Sequence, residues 1–301
     1  MKHKHITILI AVAALITLTL SAKALAAGDD GTTTKQETAA TPDLSKCIHV
    51  LLETTFGNIE LALYNETPQH RDNFVKLVNN GTYNGVLFHR VIKDFMIQTG
   101  DPDSKTATAG TLLGNGDLGY NIPAEIVFPK YFHKRGALAA AREGDETNPE
   151  HKSSASQFYI VTGKRFSEYQ LEKMQERIIN QEKSKIFDEL AAQRKNDIEM
   201  MRSMGDETAL RGLESIIKAE VEKIYKEKHK DDKPLTFTPE QIAAYTTIGG
   251  TPHLDTQYTV YGEVVSGMDV VDKIQNVTTG ANDRPVDDVR IISAKVLQTK
   301  Q

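Results

Sequence analysis

The stretch Phe88-His89-Arg90-Val91-Ile92-Lys93-Asp94-Phe95-Met96-Ile97-Gln98-Thr99-Gly100-Asp101 gathers the side chains most able to do chemistry in this chain. It reads as two short strands joined by a tight turn. Alternation puts Phe88, Arg90 and Ile92 on one side of the first strand, and Met96 and Gln98 on one side of the second. One guanidinium, one amide and large apolar groups then converge on a single face. A desolvated guanidinium is costly without partners. These letters alone leave two readings open: Arg90 faces a ligand, or Arg90 pairs with a carboxylate while Phe and Met fill the core.

Later segments can add to that face. Gly136-Ala137-Leu138-Ala139-Ala140-Ala141-Arg142 is a small-residue strand that leaves its backbone approachable, and it runs into the polar loop 143–154. Ser156-Gln157-Phe158-Tyr159-Ile160 alternates so that Gln157 and Tyr159 share a side. Thr251-Pro252-His253-Leu254-Asp255-Thr256-Gln257-Tyr258 is a turn leading into a strand. Other chemistries are poorly supported. His89, His133, His151 and His253 lack the H-x-x-E-H or H-x-x-x-H spacing of a metal site and read as surface or packing residues. Asp101-Pro102-Asp103-Ser104 lacks the rest of a calcium-binding loop and reads as a turn. The glycine-rich run 110–119 has no Walker lysine and reads as a flexible loop. Ser153, Ser154 and Ser156 sit in no nucleophile elbow.

The elements that must position these residues are mostly short strands. Runs 48–53 and 59–64 flank a linker carrying Gly57-Asn58, a β-hairpin pattern. Thr67-Pro68-Gln69 predicts a helix start with a hydroxyl N-cap; Phe74, Leu77 and Val78 line one face, and Gly81 ends it. Strands are expected at 86–91, 95–99, 136–140, 156–161, 259–264 and 289–296, with a short helix around 268–274. Many short strands with only two helices among them point to an antiparallel barrel or sandwich.

Residues 164–248 break that rhythm. Ser167-Glu168-Tyr169-Gln170 is a capping box, and Leu171, Met174, Ile178, Ile186, Leu190, Ile198 and Met201 recur at helical spacing. Gly205-Asp206 stops that helix and caps a second, carrying Leu210, Leu213, Ile217, Val221 and Ile224; Thr238-Pro239-Glu240-Gln241 caps a third. The expectation is an antiparallel helical hairpin, with its charged residues forming a solvated face.

At the N-terminus, Lys2 and Lys4, the apolar run 6–20 and Ala24-Leu25-Ala26 form a secretory signal pattern with cleavage near Ala26. Residues 27–46 read as a disordered linker. Cys47, the single cysteine, is expected to be buried, so no internal disulfide supports the fold. A net charge of −5 without a basic stripe argues against nucleic acid as a partner, and the signal peptide is the only expected membrane contact. The periplasm, or release outside the cell, is the expected destination.

Taken in order, F-H-R-V-I-x-x-F-M-I-Q-x-G-D, L-A-A-A-R, S-Q-F-Y-I and H-L-D…Y-T-V-Y-G-E-V resemble the cyclophilins, barrel-shaped peptidyl-prolyl cis-trans isomerases. The resemblance covers about 48–163 and 251–296. It implies a mainly β fold: an eight-stranded antiparallel barrel (47–163 and 249–301) closed by two helices, with 164–248 as an inserted α-helical hairpin subdomain. It also implies a groove on the outer face of the barrel, no cofactor, and proline-containing polypeptides as partners. By position, Arg90 and Gln98 match the family's catalytic residues. Phe95, Met96, Ala141, Arg142, Gln157, Tyr159, Leu254 and Tyr258 match its substrate-binding residues, with the Arg142 backbone as a peptide clamp. His253 stands where family members often carry Trp, Tyr159 where they carry Phe, and Tyr258 where they carry His, which makes the expected wall more polar.

The chemistry is consistent with such a site. Rotation about an amide faces a barrier of about 18–20 kcal/mol, and no bond need break, so tighter binding of the twisted form suffices. An alternative reading is a periplasmic holdase that captures unfolded chains with the groove and the helical arm. A structural protein with a dead groove is hard to reconcile with so complete a residue set.

Overall fold

The computed structural model describes residues 42–230 and 237–297. The expected signal peptide and most of the expected linker lie outside the described residues. The last part of that linker is not irregular, however: Leu44–Lys46 forms a 3-10 turn capped by the Asp43 carboxylate, and Leu44 packs against buried Cys47 and its neighbours.

The described chain runs β1 (Ile48–Thr54), β2 (Gly57–Leu63), α1 (Pro68–Asn79), β3 (Arg90–Ile92), β4 (Met96–Thr99), β5 (Asn121–Ile122), β6 (Ala137–Ala140), β7 (Ser153–Ser154) and β8 (Phe158–Val161). Then come the helices α2 (Glu168–Gln193), α3 (Lys195–Ser203), α4 (Glu207–Lys228) and α5 (Pro239–Thr247), followed by β9 (Val260–Ser266), α6 (Met268–Gln275) and β10 (Ile291–Val296). Eight strands form one antiparallel sheet in the order β10-β1-β2-β9-β6-β8-β4-β3, and β5 pairs with β7 beside it. The sheet curls until its ends meet. Phe88 N–H donates to the Val289 carbonyl at 2.9 Å and Ile291 N–H to the Val86 carbonyl at 2.9 Å, so the chain entering β3 seals against the chain entering β10.

Period-two alternation divides the side chains cleanly between two faces. Ile59, Leu61, Leu138, Ala140, Phe158, Ile160 and Ile97 point into the barrel, where α1 adds Phe74, Leu77 and Val78 and α6 adds Val270, Val271 and Ile274. Ala62, Ala137, Ala139, Ala141, Tyr159, Val161 and Met96 form a second cluster on the outer face. Three alanines in alternate positions keep that outer surface low beside taller Met96 and Tyr159.

Two local expectations need correction. Phe88 does not share a side with Arg90; it joins the interior cluster with Val91, because the ladder between β3 and β4 begins only at Arg90. Thr67 does not cap α1, since its hydroxyl donates to the Tyr64 carbonyl; the carboxylate of Glu125 accepts from Gln69 and His70 N–H at 3.1 and 2.9 Å instead. A charged acceptor at the positive end of a helix makes the stronger cap. Gly81 ends α1 as expected, at φ +67°, with Thr82 N–H reaching back to the Leu77 carbonyl.

The segment between β8 and β9 is helical, with both capping boxes and the Asp206 cap formed. The first long helix is interrupted at Arg194, whose guanidinium turns back to the Leu190 carbonyl and to Glu220 of α4, so α3 starts anew. The arm has its own core of Ile186, Leu190, Ile217, Val221 and Tyr225. At its base Leu171 and Tyr245 bury against Phe132, with Phe128, Phe166 and Phe237 around them, so the arm is docked as well as self-packed.

His89, expected as a surface or packing residue, lies 4 % exposed under the loop carrying Gly114, and neither ring nitrogen has a partner among the described residues. Burial depresses its pKa from 6.5 to about 4. Between those values the unfolded chain binds a proton that the folded chain refuses, so stability falls as pH drops through that window and is flat above it. Replacing His89 with leucine is expected to remove about 3 kcal/mol of the stability difference between pH 7 and pH 4. Chemical denaturation of both proteins across that range measures it; parallel curves would contradict the assignment.

Candidate active site

The β3–β4 hairpin carries the first part of the site. Arg90 lies opposite Gln98 and Ile92 opposite Met96, so the pairs inferred from alternation do face each other. The turn between them places Asp94 at φ +58°, where its N–H donates to the Gln275 side chain of α6 at 3.1 Å. The Phe95 carbonyl accepts from both Thr162 and Gly163 N–H at 3.1 Å, which fixes the Phe95 backbone. β4 then pairs with β8, setting Gln98 against Tyr159 and Met96 against Val161.

Arg90 is held by a relay of amides. The Gln157 side-chain NH2 donates to the Gly114 and Gly116 carbonyls at 2.9 and 2.8 Å, which settles which end of that amide carries nitrogen. Its oxygen therefore accepts from the Gln98 NH2 at 3.1 Å, and the Gln98 oxygen is left to accept from Arg90 Nη1 at 3.4 Å. The loop 110–119, expected to be flexible, is thus pinned where it meets the site; Asp101 also accepts from Gly114 N–H. Arg90 Nε lies 3.7 Å from Asp283, with both side chains about half exposed, and a pair of that kind is worth roughly 0–1 kcal/mol. Most of the guanidinium's five N–H donors remain unspent.

Beside Arg90, half-buried Phe95 and Leu254 and buried Met96 and Tyr159 belong to one apolar cluster, with Tyr258 at its edge. Ala141 is tied into the sheet, its N–H donating to the Gln157 carbonyl and its own carbonyl accepting from Ser154. At Arg142 the chain leaves the ladder, and neither its backbone N–H nor its carbonyl has a partner among the described residues. The Arg142 side chain is committed elsewhere: it lies 4.5 Å over the Tyr258 ring and donates to the Gln257 carbonyl at 2.9 Å. All ten residues singled out in the sequence therefore meet on one outer face.

The wall is less polar than the residue types suggested. The Tyr159 hydroxyl is turned into the wall, 3.0 Å from His133 Nε2, and burial pushes its pKa well above the ordinary value. His133 Nδ1 and backbone N–H both meet Asp255 Oδ1 at 2.9 Å, while Tyr245 of α5 donates to Asp255 Oδ2 at 2.5 Å. His253 stacks on Phe95 with ring centroids 5.6 Å apart. Though open to solvent on one side, its packing and the nearby His133 hold its pKa below the usual imidazole value, so it is neutral at pH 7.

This support was only partly legible. His133 reads as a generic packing histidine, and nothing in the spacing of Tyr245 and Asp255 links them. The signal available was the polar pair itself: a Tyr in a helix and an Asp in a loop, both destined for burial.

A family model for the cyclophilin type peptidyl-prolyl cis-trans isomerases matches residues 49–187 and 240–296, leaving out the distal part of the helical arm. A protein of Staphylococcus saprophyticus named as a peptidyl-prolyl cis-trans isomerase is 31 % identical over 83 % of this chain and 92 % of its own length. One of the same name from Staphylococcus haemolyticus is 30 % identical over 83 % of this chain and 91 % of its own. A solved cyclophilin type peptidyl-prolyl cis-trans isomerase from Cryptosporidium parvum aligns at 16 % identity and TM-score 0.47, over 84 % of this chain and 98 % of that one. The chain belongs to the cyclophilin-type peptidyl-prolyl cis-trans isomerase family, and its substrates are proline-containing peptides.

The relay generates a test. Gln98→Leu and Gln157→Leu should each lower kcat/KM on a proline tetrapeptide by about tenfold, and the double variant should be little worse than the poorer single one. Gln157→Leu should also lose roughly 1–3 kcal/mol of stability, because it strands two carbonyls. Fully additive losses would mean the two amides act separately.

Proposed function

We propose that the protein accelerates X-Pro isomerisation in exported polypeptides by holding the twisted imide more tightly than either planar form. The observation that carries this reading is an Arg90 guanidinium positioned by Gln98 yet largely uncommitted, next to the apolar cluster of Phe95, Met96, Tyr159 and Leu254. As the imide twists, resonance is lost and the proline nitrogen becomes pyramidal with a localised lone pair. Arg90 donates toward that nitrogen or steadies the prolyl carbonyl, and it gains most at the twisted geometry. The cluster grips the proline ring. The free backbone of Arg142 and the Gln98 amide fix the flanking chain, so that one side stays still while the other turns. No covalent intermediate is required.

The reading of export rests on Lys2, Lys4, the apolar run 6–20 and Ala24-Leu25-Ala26. Expression in a bacterial host should yield a mature chain whose N-terminal residue, read by mass spectrometry of the exported fraction, lies close to Ala27; an intact Met1 on the exported protein would refute cleavage. Periplasm is the favoured location.

If Arg90 supplies roughly 3–4 kcal/mol at the twisted state, Arg90→Ala should lower kcat/KM by about two to three powers of ten. A protease-coupled assay on a proline tetrapeptide measures it, and a loss under threefold would sink the proposed role. Met200, Met204, Ile216 and Ile224 stand exposed on the arm and favour an added holding role. In that case the same variant should suppress aggregation of an unfolded client as well as the wild type does.

A further inference from the structure

We propose that a second cleft, between the helical arm and the back of the 252–257 loop, is a subsite for an apolar side chain of the same client polypeptide, a few residues from the proline. The inference rests on the isomerase reading of the main groove and extends it. The cleft holds about 280 Å³, close to the lower end of ordinary ligand pockets. Its apolar lining comes from Phe128, Ile178 of α2, Phe237 and Pro252, while Lys185 of α2 is among its polar lining residues.

Two observations support the choice of occupant. The first is continuity with the groove. His253 lines the cleft and also stacks on Phe95, and the next residue, Leu254, belongs to the groove's apolar cluster. One short loop therefore has the groove's apolar cluster on one side and the cleft on the other. An extended chain advances about 3.3–3.6 Å per residue, so a client side chain in the cleft would come from a residue near the proline in sequence. The second is the state of Ile178. It is half-buried and lines the cleft, yet it belongs neither to the arm's own core nor to the cluster that docks the arm, whereas Ile179 beside it packs into the arm's core. An aliphatic side chain spared from both cores suits a peptide side chain as its partner.

The cleft also has a firm back wall. Asp255, which lines it, is held by His133 on one oxygen and by Tyr245 of the arm on the other, so its carboxyl group is already satisfied and does not call for a cationic side chain. The arm thus contributes both a wall and a brace to substrate recognition.

The test compares two peptides on the full chain: a proline tetrapeptide, too short to cross His253, and a series of about ten residues carrying phenylalanine or serine two to five positions either side of proline. Wild type should favour the best phenylalanine peptide over its serine counterpart by about tenfold in kcat/KM, the effect of burying one apolar side chain. Ile178→Ser, and separately the cleft-filling Ile178→Trp, should abolish that preference while leaving tetrapeptide turnover unchanged, with circular dichroism confirming the fold. A preference that survives both variants, or no preference in wild type, overturns the subsite and leaves the isomerase reading intact. Failure of wild type to turn over the tetrapeptide would instead refute the isomerase reading.

Discussion

A guanidinium that is to act on a ligand must be held in place without being neutralised. A full ion pair would orient Arg90 but spend its donors, and a free side chain would keep its donors but scatter them. The amide relay meets both demands. Each glutamine passes on a donor and an acceptor, and the sequence starts at two fixed carbonyls, Gly114 and Gly116, so the orientation of every amide follows from the one before. Amides carry no net charge, so the field at Arg90 is not cancelled by its support. Asp283, about half exposed and 3.7 Å from Arg90 Nε, makes only a surface pair of roughly 0–1 kcal/mol, which leaves most of that field in place.

The barrel makes this arrangement possible through burial on two faces. Strand β6, with alanine at its outward positions 137 and 139, lies between β9 and β8 and keeps the outer floor low beside Met96 and Tyr159. The relay crosses the sheet from β3 through β4 and on to Gln157 just before β8, and its geometry is as rigid as the ladder beneath. A groove built instead from loops would have to order its backbone anew with each client, at about 1–2 kcal/mol per residue.

Much of this was legible in the sequence, and for identifiable reasons. Alternation in Arg90–Gln98 and Gln157–Tyr159 reports which side chains share a face, because strand periodicity is local. Caps at Ser167, Asp206 and Thr238 were readable for the same reason. What escaped was non-local. Glu125 displaces Thr67 as the cap of α1 across a separation of 55 residues, and Asp255 meets Tyr245 and His133 from different elements. No spacing rule reports such contacts, because tertiary packing decides them. Phe88 turns inward because the β3–β4 ladder begins only at Arg90, so strand alternation does not extend back to it.

The three positions where the resemblance implied a departure, Tyr159, Tyr258 and His253, each have their polar group engaged or their ring stacked by a neighbour. Tyr159 in place of Phe adds a hydroxyl, yet that hydroxyl lies against His133, and the ring face is what remains for the apolar cluster. Tyr258 in place of His offers its ring to the Arg142 guanidinium, which binds the two sides of the groove together. His253 in place of Trp gives a smaller ring, kept neutral by its surroundings and stacked on Phe95. The brace from Tyr245 to Asp255 ties the arm to the same loop, so the position of His253 and Leu254 depends on how the arm is seated.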